Sequence, residues 1–142
     1  MMKKMLTIAL VLCSLSTLKA QVGFSYLHSD VVSAFGISSN PQNRFWAEAR
    51  LTLDVAWQDV GPELVTFVNV VRREDFDFFV GAGGRFNVLE GVILPAFGFQ
   101  IRPIESKPNL AIHAEGMFIA GVNADVFKGS IGLRYFLRKK EK

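Results

Sequence analysis

The chain has 142 residues and a formal net charge of +3, and half of its residues are hydrophobic. This length predicts a single domain. No run of 18 or more apolar residues lies in the body of the chain, which excludes a membrane-spanning helix there. The small positive charge forms no basic patch of the kind that binds nucleic acid, so we expect no nucleic-acid partner.

The N-terminus has the layout of a secretory signal peptide. Two lysines precede an apolar run from Met5 to Cys13, and a polar stretch follows that ends at Ala20. The sequence therefore predicts a signal peptide at residues 1–20 and a mature domain at residues 21–142. Cleavage after Ala20 removes three of the 16 basic residues and leaves a formally neutral chain with 13 acidic ones. It also removes the only cysteine, so we expect no disulfide and no cysteine-ligated metal.

Alternating segments follow one another along the rest of the chain. VGFSYLH from Val22 and VVSAFGIS from Val31 are predicted as two strands on either side of Ser29 and Asp30. Six longer segments alternate between apolar and polar residues, namely 44–57, 63–73, 76–88, 92–104, 110–120 and 128–138. Period-two alternation broken by short turns is typical of β-strands. The sequence thus predicts an all-β fold, an antiparallel up-and-down transmembrane β-barrel of eight strands.

One segment, RFWAEARLTLDVAW, shows why the inward face needs a separate argument. Its apolar set comprises Phe45, Ala47, Ala49, Leu51, Leu53, Val55 and Trp57. Its polar set includes Glu48, Arg50 and Asp54. A secreted lipocalin-like binder would hide the apolar set in the barrel, whereas a membrane barrel would present it to lipid. Alternation alone is compatible with both arrangements.

Three features favour lipid on the apolar side. The predicted strands are longer than those of most soluble sheets and long enough to cross a tilted bilayer span. Aromatic residues gather at strand ends, as in the girdles of membrane barrels: Phe45, Trp46, Trp57, Phe76, Phe86, Tyr135 and Phe136. The polar faces use Arg rather than Lys, which suits charges that are paired away from bulk water. In the segment 92–104 we expect Ile93 and Phe97 to face outward, with a bulge at Pro95.

The polar faces then meet inside the barrel. We expect a network of paired charges made of Glu48, Arg50, Asp54, Asp77, Arg85, Arg102, His113, Glu115 and Arg134. The interior of an eight-stranded barrel is only wide enough for side chains, and an unpaired charge there costs several kcal/mol. A narrow, charge-bridged interior would make the protein a poor pore.

The last segment carries a family resemblance. SIGLRYFL places Ser130, Gly132, Tyr135 and Leu137 in a pattern that resembles the final strand of small outer-membrane β-barrel proteins of Gram-negative bacteria. The LKAQ at the cleavage region is similar to Bacteroidetes-type signals. The resemblance implies an outer-membrane location, contact with outer-membrane lipids, and recognition of these four residues by the barrel-assembly machinery. The short outer loops and the basic tail at residues 138–142 depart from the family pattern, and the short loops disfavour an adhesin or receptor role.

Catalytic and metal-binding patterns are weak. His28, Ser29 and Asp30 are candidates for a rim-active lipid A acyl-hydrolase or acyltransferase, but the same three residues are ordinary turn composition. His113 and Glu115 share a face without a third metal ligand. We therefore expect no enzyme activity, metal or cofactor, and a structural or interaction role. The alternatives left open are a lipid A-modifying enzyme and a secreted lipocalin-like binder.

Overall fold

A computed structural model describes residues 21–53, 56, 59–87 and 89–137. The eight strands are β1 (Gly23–Ser29), β2 (Ala34–Ser38), β3 (Phe45–Thr52), β4 (Pro62–Arg72), β5 (Phe76–Arg85), β6 (Gly91–Ile101), β7 (Leu110–Gly121) and β8 (Val126–Phe136). Among these residues no helix has the length and apolar character needed to cross a membrane. The predicted signal peptide, Asp54, Val55, Trp57 and the basic tail lie outside the described residues.

Each strand pairs antiparallel with the next one along the chain, and β8 pairs with β1 to close the barrel. The predicted eight-stranded, antiparallel up-and-down barrel is therefore confirmed. The connections β1–β2, β3–β4, β5–β6 and β7–β8 lie at one end, which we call the loop end. The other three connections lie with residues 21–22 and 137 at the opposite end, which we call the terminus end.

The outer face of the barrel is apolar. Exposed residues there include Tyr26, Phe35, Ile37, Phe45, Leu51, Leu64, Val92, Phe97, Phe127, Ile131, Leu133 and Tyr135. The neighbouring residues along each strand are buried, and many are polar or charged. In β3, for example, Leu51 is exposed whereas Glu48 and Arg50 are buried. The lipocalin-like alternative required the reverse arrangement and is wrong, because the apolar faces point out of the barrel.

Two aromatic residues of the predicted girdles lie in the interior instead. Trp46 and Phe136 are 3% and 2% exposed, whereas their neighbours Phe45 and Tyr135 face outward. Consecutive residues of a strand point to opposite faces, so only one member of each aromatic pair can face outward. Phe45 and Tyr135 lie at the terminus end, and Phe86 and Phe127 are exposed at the loop end.

Strand β6 contains the predicted irregularity. Its pairing with β7 changes register between Ile93 and Ala96, which confirms the bulge expected at Pro95. Leu94 and Pro95 are both exposed, and the Leu94–Pro95 peptide bond is cis. The expectation that Ile93 faces outward is wrong, since Ile93 is fully buried. Two consecutive outward residues at the bulge reverse the alternation on its N-terminal side.

Several strand limits also differ from the sequence expectation. β2 begins at Ala34 rather than Val31, and β3 ends at Thr52 rather than at residue 57. β8 begins at Val126, within the segment expected to be a loop. At the first two sites the alternation of the sequence continues past Ala34 and Thr52, which form the last strand pair described between β2 and β3. The pairing of Val126 with Ile119 of β7 extends β8 at the third.

Candidate functional site: a charge network inside the barrel

Arg50 lies at the centre of the interior network. It projects inward from β3 and is 1% exposed. Its Nη1 and Nη2 atoms donate to both carboxylate oxygens of Glu115, with an Nη2–Oε2 distance of 2.8 Å. Nε donates to Glu48 at 3.2 Å, and Nη1 also donates to Glu63 at 3.0 Å. One guanidinium thus joins carboxylates from β3, β4 and β7, which uses the planar fork of arginine fully.

Arg134 of β8 forms the second centre and is likewise fully buried. Its Nη2 donates to Glu48, and its Nη1 lies 3.0 Å from Oε1 of Gln100 and 2.7 Å from Nδ1 of His113. Because an arginine only donates, Nδ1 of His113 must accept. Nε2 then carries the hydrogen of the neutral ring and donates to Glu115 at 2.7 Å. His113 therefore links the two arginine centres through Glu115.

The network reaches the terminus end through Asp77. Its Oδ2 accepts from Nε2 of Gln100 at 2.9 Å and from Nη1 of Arg102 at 2.6 Å. Arg102 follows β6 and also donates to the backbone oxygens of Glu74 and Arg73. These bonds place Arg102 at the rim, beside a cavity of about 690 Å³. Of the expected network members that the structure describes, Arg102 is thus the one outside the strands.

Toward the loop end the network continues through Glu63 of β4. Its Oε2 atom lies 3.2 Å from Nη1 of Arg85 and 3.5 Å from Nζ of Lys128. Lys128 is fully buried although lysine is rarely found in such a position. Among the described residues, four interior carboxylates thus meet five cationic side chains.

The sequence expectation missed four participants, which are Ser25, Glu63, Gln100 and Lys128. Ser25 donates to Glu48 from β1. The alternation of inward and outward residues along each strand is the signal that could have identified them. Glu63 stands two residues before buried Val65, and Lys128 stands two residues before inward Ser130. Extending each inward row by one step to the strand end would have included both.

An apolar cluster lies in the interior beside the charge network. It consists of Trp46, Val65, Phe67, Phe79, Ile93, Ala96, Met117 and Ile119. The rings of Trp46 and Phe67 stack with centroids 4.3 Å apart, and Phe79 meets both rings edge-on. Nε1 of Trp46 donates to Oδ1 of Asn69 at 3.1 Å. The aromatic members give the cluster a defined geometry as well as buried area.

The apolar cluster and the charge network touch directly. The guanidinium carbon of Arg134 lies 4.6 Å from the centre of the Trp46 ring. That of Arg50 lies 5.7 Å from the Phe67 ring. Both distances are within the range of cation–π contacts. The aromatic residues therefore help to hold the arginines in position as well as to exclude water from them.

One interior glycine makes room for the network. Gly36 faces inward from β2, and a Cβ atom built there would meet Oε1 of Glu48 and Oγ of Ser25. Any larger residue would displace the Glu48 carboxylate from its position between the two arginines. This short strand thus leaves room for the carboxylate that the neighbouring strand β3 contributes.

The three catalytic candidates do not converge on one another. Oγ of Ser29 donates to Asp30 at 3.1 Å, whereas the ring of His28 contacts Ser33 instead, with 3.2 Å between Oγ and Nδ1. Oδ1 of Asp30 accepts from the backbone nitrogen of Gly129 at 3.2 Å. Among the described residues no group of three or more side chains could hold a metal ion. The structure thus brings together a Ser33–His28 pair, which the sequence expectation did not include.

Three of the assembly-signal candidates lie in the closing strand β8, and Leu137 directly follows it. Ser130 and Gly132 face the interior, and Tyr135 and Leu137 are exposed on the outer surface. A Cβ atom at Gly132 would collide with the backbone oxygen of Tyr26, so glycine permits the close approach of β8 to β1. This strand therefore combines an apolar outer edge with the seam at which the barrel closes.

Comparison with known proteins identifies the fold. No protein-family model matches the chain, and no curated protein sequence matches it either. A de novo designed transmembrane β-barrel is similar in structure, with a TM-score of 0.58 and 17% identity over 83% of this chain and 94% of the other. The Yersinia pestis outer membrane protein Ail, determined in a phospholipid bilayer nanodisc, has a TM-score of 0.56 and 11% identity over 84% and 100%. The chain therefore has the fold of an eight-stranded transmembrane β-barrel, and its link to Bacteroidetes-type proteins stays a prediction.

Proposed function

We propose that this chain is an integral outer-membrane protein of a Gram-negative bacterium with a structural or interaction role, whose interior is closed by the charge network. The observation that carries the proposal is the reversed distribution of residues. Arg50, Arg85 and Arg134 are buried inside the barrel, while Ile131 and Leu133 are more than half exposed on its outer face. Only an apolar medium around the barrel makes this arrangement favourable.

The dimensions of the outer face agree with a bilayer. β4–β8 contain 10 to 12 residues, close to the 9 to 11 that a tilted strand needs to cross the hydrocarbon core. Exposed aromatic residues lie at both ends of this apolar band, Phe45 and Tyr135 at one end and Phe86 and Phe127 at the other. Lipids of the outer membrane are the first partner implied by this surface.

The packing of the interior supports a role other than transport. The central side chains of the network and of the apolar cluster, Arg50, Glu48, Phe67 and Phe79, are at most 1% exposed. A solute crossing the barrel would have to separate charged partners that have no water to replace them, and each separation is costly. We propose that the network is a structural element that holds the strands together.

Assembly and orientation follow the same proposal. The closing strand β8 would present Ser130, Gly132, Tyr135 and Leu137 to the barrel-assembly machinery. Both chain ends would lie in the periplasm, so the loop end would face outward. The strand limits leave short loop-end connections, of which the longest runs from residue 53 to residue 61, and this suits a small interaction surface or a purely structural role.

Membrane fractionation tests this proposal most directly. The expected result is recovery in the outer-membrane fraction, with a gel mobility that changes on heating because the folded barrel resists detergent. Recovery in the soluble periplasmic fraction would contradict the membrane placement. In planar bilayers the purified protein should show no conductance steps above background, and regular large steps would contradict the closed interior.

A lipid A-modifying enzyme stays as a second candidate because Ser33 and His28 are in contact at the loop end. The test compares lipid A mass spectra from cells that express the unaltered chain and cells that express His28→Ala. A mass change that requires His28 would establish the enzyme. Identical spectra with and without expression of the chain would remove it.

A further inference from the structure

The hairpin formed by β1 and β2 is shorter than the rest of the barrel wall. β1 has 7 residues and β2 has 5, whereas β4–β8 have 10 to 12. The exposed apolar residues of β2 are Phe35 and Ile37 alone, and those of β1 end at Tyr26, two residues before exposed His28. The apolar outer surface is therefore interrupted on this side of the barrel.

Strand pairing shows how far the end of the apolar surface on β1 lies from its end on β8, measured from the loop end. His28 pairs with Ile131 of β8, and β8 continues toward the loop end past exposed Phe127 to Val126, where it begins. Ile131 and Phe127 are four positions apart, which corresponds to about 13 Å along the strand. At the usual tilt of a membrane barrel this corresponds to a height of about 10 Å. The outward row of β1 thus ends with exposed His28 while β8 beside it is still apolar, and Val31 is the one large apolar side chain exposed in the turn at residues 30–33.

Hydrogen bonds hold His28, Asp30 and Ser33 in place at this height, below the loop-end limit of the apolar surface. Oδ1 of Asp30 accepts from the backbone nitrogen of Gly129 in β8, and His28 contacts Ser33 across the β1–β2 turn. The backbone nitrogen of Leu53 donates to the oxygen of Ser33 at 2.7 Å. These bonds tie residues 30–33 to the barrel wall on both sides. We call this region, with His28, the notch.

We propose that the bilayer is thinned beside the notch, so that lipid headgroups and water descend to His28 and Asp30. This inference rests on the proposed membrane placement. Irregular backbone does not occur in contact with hydrocarbon, because its unpaired polar groups have no partner there. A polar medium must therefore reach the turn, and a bilayer meets a short apolar surface by thinning. The occupant of the notch is the headgroup layer of the leaflet at the loop end.

Depth measurements with spin labels test the inference. Two single-cysteine variants of the full chain, Phe35→Cys in β2 and Phe97→Cys in the middle of β6, are made in a Cys13→Ser background. Each is labelled with a nitroxide and placed in dioleoylphosphatidylcholine vesicles. Collision rates with oxygen and with a water-soluble nickel chelate then report how deep each label lies. Both positions face outward, so the Phe97 label is a matched control on the long side of the barrel.

Thinning predicts that nickel accessibility is about threefold or more higher at Phe35 than at Phe97. Equal depths would overturn the inference and leave the membrane placement intact. A Phe35 label that is immobile and reached by neither probe would also overturn it, because a second copy or another protein would then cover the hairpin. A Phe97 label in free contact with nickel would contradict the proposed function itself.

A second variant changes the notch and leaves the labelled sites unaltered. His28→Leu extends the apolar surface of β1 by one outward position. The Phe35 label should then become less accessible to nickel, whereas Asn123→Leu in the exposed β7–β8 turn should leave it unchanged. An unchanged Phe35 label in a correctly folded His28→Leu protein would show that the notch does not set the local bilayer thickness.

Discussion

The barrel interior contains two clusters of opposite chemistry in direct contact. In the apolar cluster, neighbours such as Phe67 and Phe79 are held by packing that depends on shape and buried area. In the charge network, each member depends on particular partners, as Arg50 depends on three carboxylates. Loss of one apolar group leaves a gap, whereas loss of one charged group leaves another charge buried alone. The two clusters should therefore tolerate substitution very differently.

Reversing one charge in the network should have the largest effect. Glu48→Lys places a cation between Arg50 and Arg134, whose guanidiniums Glu48 now joins. We expect the barrel to fail to fold or to lose at least about 5 kcal/mol, since two buried cations lose their partner and gain a like charge. Urea titration in lipid vesicles, followed by the heat-modifiable gel band, measures the loss. Asp125→Lys makes the same charge change in an exposed turn and should cost less than about 0.5 kcal/mol.

Removing the central cation should have the next largest effect. Arg50→Met keeps an unbranched side chain but leaves Glu48, Glu63 and Glu115 without their shared partner. We expect a loss of about 3–5 kcal/mol in the free energy of unfolding. Adding Glu115→Gln should restore part of it, with a coupling energy of about 0.5–3 kcal/mol in the double-mutant cycle. Strict additivity would contradict direct coupling between these two side chains.

A substitution at the contact between the clusters should have an intermediate effect. Trp46→Phe keeps an aromatic ring against Phe67 but removes the N–H that bonds to Asn69. It also weakens the cation–π contact with Arg134. We expect a loss of about 1–2 kcal/mol, measured by the same urea titration. Phe45→Tyr, on the outward neighbour, should change stability by less than about 0.5 kcal/mol. Equal effects would show that the interior position of Trp46 is unimportant.

The sequence predicted the fold well because alternation is a local property. The alternating residues of each strand show which of its faces is apolar. Eight such strands in succession predict the barrel and its apolar exterior. In β4, for example, alternation places Phe67 and Asn69 on one face, and both side chains are buried. It misplaced Ile93, because a bulge reverses alternation without changing composition. Local pattern therefore predicts a face until the backbone departs from regular pairing.

The partners within the charge network could not be predicted in the same way. Arg50 and Glu115 are far apart in the sequence and lie on strands that are not neighbours in the barrel. Their meeting depends on the register of every strand between them and on the closure of β8 against β1. The low position of His28 beside Ile131 depends on the same closure. Such features require relative positions across strands, which no single segment encodes.

The smallest effect should come from reshaping the apolar cluster at constant volume. Met117→Leu keeps a buried aliphatic side chain in β7, two residues from Glu115, and removes no hydrogen-bond partner. We expect a loss below about 1.5 kcal/mol, because cores tolerate swaps of similar volume. The comparison with Arg50→Met in the same vesicles is decisive, because each substitution replaces a fully buried side chain with an apolar one. A loss of about 3 kcal/mol or more for Met117→Leu would mean that the apolar cluster is as specific as the charge network, and that their contact makes the interior one cooperative unit.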